Sequence, residues 1–116
     1  MRRGDIWTAA GGKDYAGKPW PVVILQDDRF DMTDSITVCP FTTDPADLPL
    51  FRLPIPPAER NGLREPCRIM IDKITTVPKA KLGVRIGSLA DREIVRVNRA
   101  VLVFLGIAGA SEQPSE

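Results

Sequence analysis

The run Trp20-Pro21-Val22-Val23-Ile24-Leu25-Gln26 constrains the fold more than any other stretch of this chain. It is nearly all β-branched or aliphatic and lacks the alternation of a strand with one wet face. A run of that kind reads as a strand buried on both faces. Its cover has to come from the rest of 116 residues, a length that makes one domain and removes roughly two thirds of the unfolded chain's surface from water.

The remaining strand signals surround that run. Asp5 to Ala9 reads as a first strand, followed by a polar, positively charged loop of residues 11–19 whose three glycines free its backbone. A polar turn through Asp27, Asp28, Arg29, Asp31 and Asp34 leads to a third strand, Ser35 to Thr42. Ile36, Val38 and Pro40 share one of its faces, with Thr37, Cys39 and Phe41 on the other. Residues 50–55 form a fourth strand that Pro54 assigns to an edge or a bulge. A turn-rich connection covers residues 56–62, a fifth strand residues 67–74, a short helical turn opened by Pro78 residues 77–81, and a brief strand residues 84–86.

One helix is predicted, with Ser88 as its cap, Asp91 in the capping-box position and Gly106 as its stop. Ala90, Ile94, Val97, Val101, Phe104 and Leu105 fall on one side of it, and Arg92, Glu93, Arg96 and Arg99 lie largely elsewhere. Five or six short strands closed by this helix give a mainly β class: a small curled sheet or open barrel with a helix laid against it. Residues 1–108 form the domain, and residues 109–116, small, polar and Pro-containing, read as a disordered tail.

Composition narrows the chemistry. Sixteen basic against fifteen acidic residues give a net charge of +1, so binding to nucleic acid has to use a local patch. There is no histidine, and two separated cysteines do not make a zinc site of the usual ligands. Catalysis is left to Asp, Glu, Lys, Arg, Thr, Ser or Tyr. Cys39 and Cys67 each lie in an apolar segment and read as buried free thiols. No apolar run approaches the ~20 residues needed to cross a bilayer, and no signal core follows the basic start Met1-Arg2-Arg3, which places the chain in the cytoplasm.

Four segments in order carry a family resemblance. They are Arg3-Gly4-Asp5-Ile6-Trp7, Pro21-Val22-Val23-Ile24-Leu25-Gln26-Asp27-Asp28, the strand closing on Thr42-Thr43, and Ile71-Asp72-Lys73-Ile74-Thr75-Thr76-Val77. Val97-Asn98-Arg99-Ala100-Val101 with Leu105-Gly106-Ile107 looks like the same family's terminal helix. Over about residues 2–107 the chain resembles the MazF/PemK family of toxin endoribonucleases. The resemblance implies an SH3-like barrel with a C-terminal amphipathic helix, a homodimer, and cleavage of single-stranded RNA without metal or other cofactor. It also implies a cognate MazE-like antitoxin whose flexible acidic segment occupies the RNA groove.

Scission without a metal proceeds by attack of a ribose 2′-hydroxyl on the adjacent phosphate. It needs a proton acceptor, a proton donor and a cation or hydrogen-bond donor for the phosphorane charge. By the resemblance, Asp72 matches the carboxylate assigned as base in PemK/Kid-type members. Thr42 matches the strand-end hydroxyl that contacts the scissile phosphate or adjacent ribose, with Thr43 the register alternative. The family's Arg before the Pro-Val-Val strand is Trp20 here, and an indole offers one neutral N–H and no charge. Lys18, at the same strand parity, is the candidate replacement cation. Trp20 stacks on an unpaired base or packs in the groove or dimer seam. Met70 stands where PemK/Kid-type members carry Arg, which makes Arg68 the nearest cation there. Gln26, Arg29, Lys13 and Arg2 complete the candidate RNA contacts. Two rival readings are a module of the same fold that binds antitoxin or RNA without cutting, and a CcdB-like gyrase poison, whose family ends in Trp-Gly-Ile where this chain has Leu105-Gly106-Ile107 and a tail.

Overall fold

The computed structural model describes residues 1–11 and 18–108. The tail and most of the glycine-rich loop, including Lys13, lie outside the described residues. Among the described residues, seven strands and one α-helix follow in order: β1 (Asp5–Ala9), β2 (Trp20–Ile24), β3 (Ser35–Thr42), β4 (Arg52–Ile55), β5 (Cys67–Met70), β6 (Thr75–Pro78), β7 (Leu82–Ser88) and α1 (Asp91–Phe104). All pairings are antiparallel, in the spatial order β4-β5-β3-β2-β1-β7, with β6 also paired to β3. This is the mainly β architecture with a terminal helix that the strand pattern predicts.

The eight-residue β3 makes the sheet curl. One of its edges runs along β2; the other holds β6 through Ser35 to Val38 and then β5 through Phe41 and Thr42. Pro40 sits at the changeover. Leu25 donates its backbone N–H to the Thr37 carbonyl, so the odd positions of β3 turn their peptide groups toward β2. Pro40 therefore turns toward the other edge, between the Val38–Thr75 and Phe41–Ile69 pairs, where its missing donor breaks no ladder. Pro54 lies on β4, an edge of the sheet.

Strand alternation divides the core in two. Val23, Cys39, Phe41, Ile69 and Leu53 face Val97 and Ala100 of α1, while Val22, Ile24, Ile36, Val38 and Ala9 form a second cluster closed by Met1, Trp7, Trp20, Val77 and Leu82. The unbroken apolar run of β2 is explained by its serving both clusters.

The helix begins later than its sequence suggests. Ser88 is paired with Asp5 in β7 and donates its backbone N–H to Arg60, so its backbone is extended and cannot cap a helix. Ala90 is the N-cap, and the Glu93 carboxylate reaches back to accept the Ala90 N–H at 2.8 Å. Gly106, at φ +76°, follows the C-terminal residue Leu105 as expected. Phe104 and Leu105, assigned to the packed side, are 45% and 56% exposed, whereas Glu93 is buried. Two further boundaries move. The fifth strand ends at Met70, where Ile71–Lys73 tightens into a 3-10 turn. The predicted turn at 77–81 is a strand ending in Pro78 followed by a 3-10 turn, Lys79–Lys81. Among the described residues, no helix is long and apolar enough to cross a membrane.

Candidate active site

A cleft of ≈ 600 Å³ opens where the start of β2, the end of β3 and the connection from β4 to β5 meet. Its floor is the rim of the first core cluster: Phe41, Leu63, Cys67 and Ile86. Pro19, Trp20 and Pro21 form one wall. Among the described residues, the polar groups in it are Thr8, Lys18, Thr42, Thr43, Arg64 and Glu65. Four residues singled out from the sequence, Lys18, Trp20, Thr42 and Thr43, thus share one cavity.

Trp20 and Thr42 are positioned by contacts to backbone groups. Trp20 opens β2 opposite Ala9, and its indole N–H donates to the Ala10 carbonyl at 3.0 Å, so the ring is pinned and its one donor is already engaged. Thr42 ends β3, and its Oγ1 accepts the Asp44 N–H at 3.1 Å. Arg68 pairs in register with Thr42 and donates from Nη1 to the Asp44 carbonyl at 3.3 Å, bracing the same lip. Among the described residues, neither Lys18 nor Arg64 has a carboxylate partner.

The connection carrying Arg64 and Glu65 is held by the buried Asn61. Its Oδ1 accepts the N–H groups of Ala58 and Leu63, both at 3.0 Å, and its Nδ2 donates to the Pro56 carbonyl at 2.9 Å. Gly62 follows at φ +69°, where an added Cβ would lie 2.1 Å from the Ile86 carbonyl oxygen. At the far end, the Cys67 thiol donates to the Glu65 carbonyl at 3.3 Å. Sequence reading passed over Arg64 and Glu65 because they carry no periodicity; the Asn61-Gly62 pair was the available signal of a fixed turn.

Asp72 is not in this group. It lies on the 3-10 turn after β5, where Arg52 of β4 donates Nε to Oδ1 at 2.8 Å and Nη2 to Oδ2 at 3.0 Å. Both groups are largely buried, with side chains 13% and 20% exposed. The side-chain hydrogen bonds from Arg52 hold the Asp72 carboxyl below its usual range, although burial opposes this. A carboxylate so held is a weak proton acceptor. Of the two thiols, burial pushes Cys39 up to about 12, with the Asp72 charge adding to it, and burial raises Cys67 as well. Both are free and buried.

The model of the PemK-like, MazF-like toxins of type II toxin–antitoxin systems matches residues 2–105. The chain belongs to this family. A protein of Mycolicibacterium smegmatis described as a probable endoribonuclease MazF is 58% identical over 109 residues, spanning 94% of this chain and 100% of the relative. The toxin MazF-mt6 of Mycobacterium tuberculosis superposes with a TM-score of 0.76 at 27% identity, over 89% of this chain and 97% of that one. The toxin of a MazE–MazF complex from Deinococcus radiodurans, at 15% identity, shares the fold with a TM-score of 0.71 over 93% and 97% of the two chains.

Several residues of the MazF-like signature hold the structure together. The Arg3 N–H binds Asp28 at 2.6 Å and its Nε the Leu25 carbonyl at 2.6 Å; Asp5 accepts the Arg2 N–H and pairs with Arg85 at 3.2 Å. Gln26, a candidate RNA contact, has its amide bound at both ends, accepting from the Thr37 N–H and donating to the Phe30 carbonyl. Arg29 pairs with Asp27 at 3.0 Å and lies over the Phe30 ring. Neither lines the cleft. Arg2 is 3.8 Å from Asp28 on the same side of the molecule.

Proposed function

We propose that this MazF-type toxin endoribonuclease cuts single-stranded RNA in the Lys18–Thr42 cleft by attack of a ribose 2′-hydroxyl on its own phosphate. The products are a 2′,3′-cyclic phosphate and a 5′-hydroxyl. The observation that carries the reading is the convergence of Lys18, which has no carboxylate partner among the described residues, two threonine hydroxyls and an aromatic wall on one cavity roomy enough for a nucleotide step. Thr42 donates its hydroxyl to a phosphate or ribose oxygen, and Lys18 supplies positive charge. Trp20, its N–H bound to the Ala10 carbonyl, contributes an aromatic wall beside which a base of the RNA is placed.

As a toxin of a type II system, the protein is expected to meet a cognate antitoxin. On this reading the antitoxin's acidic segment competes with RNA for the same cations, and the toxin acts in the cytoplasm as a homodimer. Incubating the purified protein with mixed-sequence RNA in a chelator and mapping the fragment ends tests the proposal. Cyclic-phosphate and 5′-hydroxyl ends are expected. Intact RNA, or cutting that appears only with added magnesium and leaves 5′-phosphates, overturns it.

A further inference from the structure

We infer that Arg64 and Glu65, successive residues on the Asn61-pinned loop, supply the phosphorane's positive contact and the proton acceptor of the RNA cleavage; this rests on the proposed function above. The chemistry needs a carboxylate or other base and a donor to the non-bridging phosphate oxygens within one site. Glu65 is the one carboxylate lining the cleft among the described residues. Asp72 is outside the cleft with both oxygens bound to Arg52. Arg64 brings a planar fork that matches two phosphate oxygens at once, which the ammonium of Lys18 does not.

The loop has the rigidity such a role requires. Asn61 makes three hydrogen bonds inside it, Gly62 fits tightly under Ile86, and the Cys67 thiol holds the Glu65 carbonyl. Backbone fixed on both sides holds the two exposed residues at the cleft that Thr42 also lines, without a large ordering cost at binding. The step balances as a transesterification. Glu65 takes the 2′-hydroxyl proton as the 2′-oxygen bonds to phosphorus. The bond from phosphorus to the 5′-oxygen breaks, that oxygen takes a proton from water, and Glu65 later returns its own proton to solvent. Arg64 stays protonated throughout, held to two oxygens of the pentacoordinate phosphorus.

The test uses the full chain, one RNA that wild type cuts, and the same RNA with a 2′-deoxyribose at the cut position, which binds without reacting. Glu65→Gln is expected to lower kcat by roughly 100-fold or more while affinity for the deoxy RNA stays within about threefold. Arg64→Ala is expected to lower kcat by about 100-fold, and Arg64→Lys to recover part of that loss. Asp72→Asn, assayed well below its melting temperature, is expected to keep kcat within about threefold. If Glu65→Gln cuts at the wild-type rate while Asp72→Asn loses cutting, the assignment is overturned and Asp72 is the base. Equal losses of deoxy-RNA affinity and kcat in the Arg64 and Glu65 variants also overturn it, since that pattern marks a binding or structural role. Wild type failing to cut any RNA is a separate outcome that removes the parent reading and this one together.

Discussion

At the scale of single residues, partners decide what a carboxylate does. Asp72 sits where the family resemblance expects a base, yet the Arg52 fork occupies both its oxygens and holds the carboxyl below its usual range, which makes it a weak proton acceptor. The sign follows from linkage: a carboxyl depressed in the folded state stabilises the protein above its unfolded value, and that contribution disappears as pH falls through the folded value. Asp72→Asn should therefore lower stability at pH 7 by ~1–2 kcal/mol, a loss of roughly 5–10 °C in Tm for a domain of this size. Melts of the two proteins should converge as pH falls below 3.8, the ordinary value for Asp. A gap that persists unchanged under acid would show that the ion pair is not its source. Sequence parity could not place Asp72, because β5 ends at Met70 and the 3-10 turn rotates the next side chains off the strand's alternation. Trp20 was legible as a departure, and its cost is testable. Trp20→Arg adds a guanidinium at the cleft wall and should raise the cleavage rate at saturating RNA several-fold; no change, or a fall, would mean that an arginine there has no part in the chemistry.

At the scale of elements, the strands were readable and the connections were not. The apolar run at 20–26 and the alternation of Ser35 to Thr42 each carry their burial pattern in the residues themselves, and β1 and β3 have the expected limits. Helix α1 was visible from its spacing, but its start was misplaced because strand pairing claims Ser88 and leaves the N-cap to Ala90, whose N–H the Glu93 carboxylate accepts. The loop at 56–65 had no period to read, and its order comes from one buried amide making bonds in three directions. Asn61→Ala should cost about 2–4 kcal/mol in urea unfolding, since it orphans two N–H groups and one carbonyl. The same substitution should lower RNA cleavage at temperatures where the variant remains folded, because Arg64 and Glu65 lose their support. Wild-type stability in that variant would show that water replaces the side chain at no cost, and the loop would then be less constrained than its hydrogen bonds suggest.

At the scale of the whole molecule, charge is balanced overall and positive only locally. With a net charge of +1, and with Arg2, Arg29, Arg52, Arg85 and Lys79 beside carboxylates, little long-range field is left to gather RNA. Among the described residues, the cations at the cleft are Lys18 and Arg64, with Arg68 at its lip. Each phosphate neutralised on a single strand contributes a slope of about −0.7 to log K against log salt. Two or three contacts then predict a slope between about −1.4 and −2.1, measurable by anisotropy of a labelled 2′-deoxy-substituted oligonucleotide titrated across a salt series. Lys18→Ala and Arg64→Ala should each flatten that slope by about 0.7. Arg29→Ala should leave it unaltered, because Arg29 is paired with Asp27 away from the cleft. A slope of −4 or steeper would require a much wider basic track than this cleft provides, and RNA would then have to run across the face that carries Arg29 and Arg2.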